Sequence, residues 1–276
     1  MSIFVVAPII IMVVYAFSTA AGDFTLENFA RMGSYTAVFT RSFKLAIIAT
    51  LIALLIGYPV SYMLSKEGPQ VQRIAMVLIM LPMWMNFLLR TYSWMSILEN
   101  NGLLNQLFQQ IGLIDLYNQI AMHFASDPAA YVPIDHFQMI GTQGAVVLGM
   151  VYNYLPFMIL PIYSVLVKLD HSLIEAARDL GAAACRCSAR SSCPVFAGVL
   201  PGITMVFVPS VSTFAISRLL GGTQMMLGDL IEQQFLGGAY NPQLGAAIAL
   251  VMMAIVVVCM LVMNRFGDGE EQAVML

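Results

Sequence analysis

The side chains able to act as nucleophiles, bases or metal ligands are few in this sequence, and they fall into no catalytic spacing. Lys44, Lys66 and Lys168 all stand outside the Gly-rich setting that cradles phosphate, so the chain has no P-loop with which to bind ATP. Neither a His-Glu-x-x-His pair nor a Gly-x-Ser-x-Gly elbow occurs, and His123, His136 and His171 lie apart from the apolar runs. Cys185, Cys187 and Cys193 crowd together, but with no His beside them they make a poor metal site, and in a reducing compartment they form no disulfide. The sequence therefore predicts no catalytic residue, no metal and no cofactor, and the chain is not expected to be an enzyme.

What stands out instead is a short polar helix between apolar runs. From Asp170 to Gly181, Asp170 or Ser172 can cap the start, the latter in a Ser-x-x-Glu box with Glu175. Leu173, Ile174, Ala177 and Leu180 then share one face, and Glu175, Arg178 and Asp179 point away from it. Ala176 and Ala177 allow a neighbouring backbone to approach closely, which suits a helix pressed into a groove on a partner. Gly181 ends the helix, because glycine takes the left-handed terminal conformation without steric cost.

The elements that hold this helix are membrane spans. The chain is 60% apolar and 10% charged, with a mean hydropathy of +0.83, and a bilayer core about 30 Å thick needs about 20 apolar residues per helix. Six runs are read as spans in an all-α, polytopic fold: Ile3–Phe17, Ser42–Leu64, Ile74–Trp94, Gly144–Leu166, Val199–Leu219 and Leu244–Met263. The first is short and lacks a basic lead, so it is expected to be a span missing its cytoplasmic start rather than a signal peptide.

Positive charge orients the bundle. The connections Ser96–Thr142 and Gly221–Gln243 carry no Lys or Arg, whereas Lys168, Arg178, Arg186, Arg190, Lys66, Arg73 and Arg265 fall on the other side. Both termini are thus expected to be cytoplasmic, with Arg31, Arg41 and Lys44 as exceptions. No Asp or Glu falls inside a span as drawn, although self-contained coupled carriers place ionisable groups there. Energy is expected to come from another chain.

Glu175-Ala176-Ala177 and Gly181 resemble the E-A-A-x-x-x-G loop of the inner-membrane permease subunits of ATP-binding-cassette importers. In that family the loop is a coupling helix docked on the ATPase. The resemblance implies one transmembrane permease domain over residues 1–276 with a coupling loop at 167–198. It also implies two ATPase subunits, a second transmembrane subunit and an extracytoplasmic solute-binding protein as partners within the lipid bilayer, and no nucleic acid. The second half of the signature departs from the family: Pro194 holds the proline position, but Ser191 and Cys193 replace the aliphatic residue and the leucine. A metal site, divergence, and a reading frame shifted and then restored before Gly202 are three accounts of residues 182–196.

Phe24-Thr25-Leu26-Glu27-Asn28-Phe29, the run Leu81–Trp94 and Asn101-Gly102-Leu103-Leu104-Asn105 are similar to the spermidine/putrescine importer permeases, the B-type subunits in particular. The Leu81–Trp94 pattern is shared with relatives for iron(III), thiamine and phosphonates, so those solutes stay open. Along the expected path, Asn86, Arg90 and Trp94 recur every four residues and put Tyr92 and Thr91 close by. Arg90, near the outer end, is expected to snorkel to the interface. Trp84, Trp94, Tyr152 and Tyr154 can hold ammonium groups by cation–π contact worth roughly 0.5–2 kcal/mol each. Asn153, Pro156 and Pro161 make span four a wall of the path. Glu99, Asp115, Asp127, Asp135, Asp229 and Glu232 are expected to form an acidic outer vestibule.

Overall fold

In hydrocarbon every backbone N–H and C=O must be paired within the segment, so apolar runs of this length have to be helical. The computed structural model describes residues 2–19, 21–124, 132–168, 195–238 and 240–274, and among them helices account for the architecture, with a lone bridge between Ser18 and Phe24. Glu175, Ala176, Ala177 and Gly181, with Cys185, Cys187 and Cys193, lie outside the described residues.

Helix α1 is Ser2–Ala16, α2 Glu27–Met32, and a 3-10 turn, Gly33–Tyr35, leads into α3, Thr36–Ser65. Then come α4 (Pro69–Trp84), α5 (Phe87–Leu98), α6 (Leu103–Gln110), α7 (Leu113–Phe124) and α8 (Gln143–Lys168). The described chain closes with α9 (Val195–Ser212), α10 (Ala215–Leu220), α11 (Leu227–Leu236) and α12 (Pro242–Val274). By length and composition, Glu27–Ser65, α8 and Pro242–Met263 can each cross a membrane, and the bent pair α4–α5 brings the number to four among the described residues. Val6–Ala16 and Gly198–Ser212 are shorter apolar helices.

The third expected span is broken. Instead of one helix over Ile74–Trp94, the chain turns by 90° between α4 and the helices that follow. The cause is local: Pro82 removes a backbone donor near the end of α4, Met85 is extended, and Asn86 becomes an N-cap whose side chain accepts from Leu88 N at 2.8 Å. An asparagine inside an apolar run thus restarts a helix rather than continuing one.

At the centre α3, α8 and α9 pack together most extensively. Lipid tails are as apolar as leucine, so this association depends on close van der Waals contact between small-residue surfaces. Gly57 on α3 and Gly202 on α9 both abut the buried Met158 of α8, where an added Cβ would lie 2.9 Å from Cγ and Sδ respectively. Ser61 crosses the same seam, donating to the Ile159 carbonyl at 3.2 Å. Against this core α1 lies along α12 through Ala16, Ala246 and Ala247.

Between α5 and α8 a small lobe is held by side-chain amides. Asn105 of α6 both donates to the Phe137 carbonyl and accepts from its N–H, each at 3.0 Å. Asn118 of α7 does the same with Ile134, at 2.9 and 3.0 Å. Phe108 and Tyr117 stand edge-on to the Phe137 ring. Two neutral amides therefore hold the irregular segment 132–138.

Candidate functional site

Tyr154, Phe157, Pro161 and Ser164 recur at three- and four-residue spacing, so they form one face of α8. That face, with Leu160 of α8 and with Met205 and Pro209 of α9, walls an open cavity of about 780 Å³. Proline has no N–H, so Pro161 leaves the Phe157 carbonyl, and Pro209 the Met205 carbonyl, without its usual helical donor. All four of these residues line the cavity. The lining is mostly apolar, with a phenol, a phenyl ring and a serine hydroxyl, and no charged side chain among its residues.

The polar groups at the edge of this cavity are ordered. The Tyr154 hydroxyl donates to the Pro209 carbonyl at 3.5 Å, and Ser164 Oγ to that of Pro161 at 2.8 Å. Thr213 lies beside the Tyr154 hydroxyl, and Arg90 is near enough to act on it electrostatically. Arg90 does not snorkel. It is 8% exposed, and its Nε and Nη1 have no hydrogen-bond partner. The reason is the bend at Asn86, which turns α5 inward against α8 and α10 instead of letting it run on to the interface.

The other path candidates are dispersed. Trp94 meets Tyr152 edge-on with ring centroids 5.3 Å apart, so α5 and α8 share an aromatic contact. Asn153 is buried, its Nδ2 donating to the Gly149 carbonyl at 2.8 Å and its Oδ1 unpartnered. Trp84 is 79% exposed at the end of α4, Asn86 is exposed and occupied as a cap, and Tyr92 is half exposed. Of the candidates, Tyr154 is the one in the cavity lining. Phe157, Ser164, Met205 and Thr213 escape sequence reasoning, although the 154-157-161-164 spacing was there to mark one face. A second cavity of about 370 Å³ between α3, α9 and α12, lined by Ile47, Leu51, Phe207 and Val262 among others, is apolar and offers no chemistry.

The expected acidic vestibule is only partly acidic surface. Glu99, Asp115 and Asp135 are exposed, and Asp127 lies outside the described residues. Glu232 is taken by Arg218, whose Nη1 lies 2.6 and 2.7 Å from its two oxygens. That pair is largely solvated and worth about 0–1 kcal/mol. Asp229 is buried in α11, a ten-residue helix too short to cross a bilayer. Its Oδ2 accepts from Met226 N at 3.0 Å, while Ser42 of α3 accepts from Leu227 N at 2.9 Å, so the start of α11 is fixed from both sides.

Burial, the largest influence, pushes the Asp229 carboxyl above its ordinary 3.8, against the pull of the Met226 amide. Its Oδ1 has no partner, because Ser217 Oγ donates to the Phe214 carbonyl instead. The folded state thus holds the proton to higher pH than the unfolded chain does. Stability rises as pH falls through the folded-state value toward 3.8, and is lost as pH climbs back through the same window. D229N keeps the acceptor for Met226 N, and the thermal midpoint of the detergent-solubilised protein is expected to lose this pH slope above pH 3.8. D229A strands that amide, which is expected to cost about 1–3 kcal/mol.

No family model matches the chain. Its sequence is 34% identical over 267 residues to the spermidine/putrescine transport system permease protein PotB of Haemophilus influenzae, covering 92% of this chain and 86% of that one. The PotB protein of Escherichia coli is also 34% identical, over 246 residues, covering 88% and 82%. The fold is similar to a chain of a bacterial alginate ABC transporter in complex with an alginate-pentasaccharide-bound periplasmic protein. There the TM-score is 0.64 at 15% identity, with 95% of this chain and 88% of that chain covered.

Proposed function

The chain belongs to the PotB family of spermidine/putrescine transport system permeases, and from that premise we propose that it forms one half of the membrane path of an ATP-driven polyamine importer. It is an all-helical, multi-pass membrane permease and carries out no chemistry itself. Its partners are ATPase subunits, a second transmembrane subunit and an extracytoplasmic receptor that delivers the cargo. The protein resides in the cell inner membrane with both termini on the cytoplasmic side.

The observation that supports the polyamine reading is the α8–α9 cavity, lined by the rings of Tyr154 and Phe157 with no charged side chain among its lining residues. Such groups accept an ammonium ion from water at small net gain, and with no carboxylate in the lining they do not trap it. Weak contacts suit passage; tight selection belongs to the receptor. Trp94 and Tyr152 extend the aromatic surface along α5 and α8, with Trp84, Asn86, Tyr92 and Asn153 as further candidates for contact in other states of the cycle.

On the cytoplasmic side, Glu175, Ala176, Ala177 and Gly181 form the coupling helix that docks on an ATPase subunit. Closure of the ATPases moves this helix, and the bundle changes the side to which its cavity opens. The test is uptake of labelled spermidine by vesicles holding this chain with its neighbouring ATPase, second permease and receptor. ATP-dependent uptake that putrescine competes with is expected. Uptake of iron(III), thiamine or a phosphonate in place of polyamines would reassign the cargo, and uptake without any ATPase would refute the mechanism.

A further inference from the structure

Two charged side chains are buried among the described residues, Asp229 and Arg90. Asp229 has the Met226 amide; Arg90 has nothing for its Nε and Nη1. No described carboxylate is placed to neutralise it. Glu27 is held by Arg31, Glu232 by Arg218, and Asp23, Glu67, Glu99, Asp115 and Asp135 are exposed. Guanidinium does not lose its proton, so unlike a buried lysine Arg90 cannot escape the cost of burial by becoming neutral. A permanent, uncompensated positive charge therefore stands on α5, within electrostatic range of the Tyr154 hydroxyl that walls the cavity.

We infer that Arg90 is a specificity-determining charge, a fixed cation behind the Tyr154 wall that keeps cationic cargo from lodging at that end of the cavity. The inference rests on the cavity being a polyamine path. With Arg90 acting on the Tyr154 side of the cavity, a polycation that enters meets repulsion there. Its residence is short, and the repulsion grows with the number of ammonium groups brought in. In a low-dielectric setting, like charges several ångströms apart change affinity on the order of tenfold or more.

Equilibrium dialysis of labelled putrescine and spermidine against the purified importer without its receptor reads this directly. R90M and R90Q are expected to bind spermidine roughly tenfold more tightly than wild type, and putrescine with a smaller gain. R90K, which keeps the charge, is expected to match wild type. Equal affinities in R90M, R90K and wild type would overturn the inference. So would failure of both neutral variants to assemble while R90K assembles, since Arg90 would then be a structural ion awaiting a carboxylate from the second subunit. Absence of polyamine uptake by the wild-type complex in vesicles is a separate result, and removes the cavity reading together with this proposal.

Discussion

Replacing Gly181 with tryptophan is expected to abolish ATP-driven uptake and detach the ATPase, while the permease still inserts and pairs with its transmembrane partner. The sequence reads Gly181 as the left-handed stop of a helix that begins with a cap at Asp170 or Ser172. A residue with a Cβ pays about 1–2 kcal/mol in that conformation, and a bulky ring fills the space into which the chain has to turn. On the proposed docking through this one short helix, a loss of that size reduces ATPase attachment by roughly tenfold or more. Co-purification of the ATPase on the tagged permease, with uptake measured in the same vesicles, checks both effects. Intact attachment with normal uptake would remove the docking role. E175Q, which keeps the shape and discards the charge, is expected to be milder.

Gly228→Val is expected to be among the most damaging single changes to the folded bundle. A Cβ built at Gly228 would lie 2.5 Å from the Ser212 carbonyl oxygen and 2.6 Å from that of Thr213. These are backbone atoms at the end of α9, which cannot turn aside as a side chain does, so α11 has to be pushed off. Overpacking costs about 1–3 kcal/mol where side chains can yield, and this site belongs at or above the top of that range. The displaced helix also takes with it the contact of Ser42 with Leu227 N and the cap of Asp229 on Met226. Thermal unfolding in detergent should show a markedly lower midpoint and poor recovery. Gly238→Ala, where the added Cβ meets nothing within 4 Å, is the matched control and is expected to behave like wild type. Equal midpoints for the two variants would mean that α11 is not held against α9 in this way.

The parts of this structure legible in the sequence are those where composition alone decides. The long apolar runs Ser42–Leu64, Gly144–Leu166 and Leu244–Met263 lie inside α3, α8 and α12, although α3 starts earlier, at Thr36, and α12 runs on to Val274, because length and apolarity declare a membrane helix but not its ends. The bend at Asn86 was hidden for the same reason: the run Ile74–Trp94 stays apolar through it, and only the hydrogen bond from Leu88 N reveals a cap. The error then propagates to Arg90, whose distance to the interface is counted along a straight helix that does not exist. Asp229 reads as surface in a polar connection, and its burial depends on Ser42 and its helix, 185 residues away along the chain from Leu227. In the candidate site, the prolines of α8 are visible at once, but their pairing with Pro209 across the cavity is tertiary and has no local signature.

The lobe between α5 and α8 has a consequence for how the importer behaves in different media. Its shape rests on the paired contacts of Asn105 with Phe137 and of Asn118 with Ile134, all between uncharged groups. Dissolved salt screens ion pairs over about 10 Å at 0.1 M but leaves neutral amide contacts almost untouched. The lobe therefore keeps one form from dilute water to brine, while the Arg218–Glu232 link loosens.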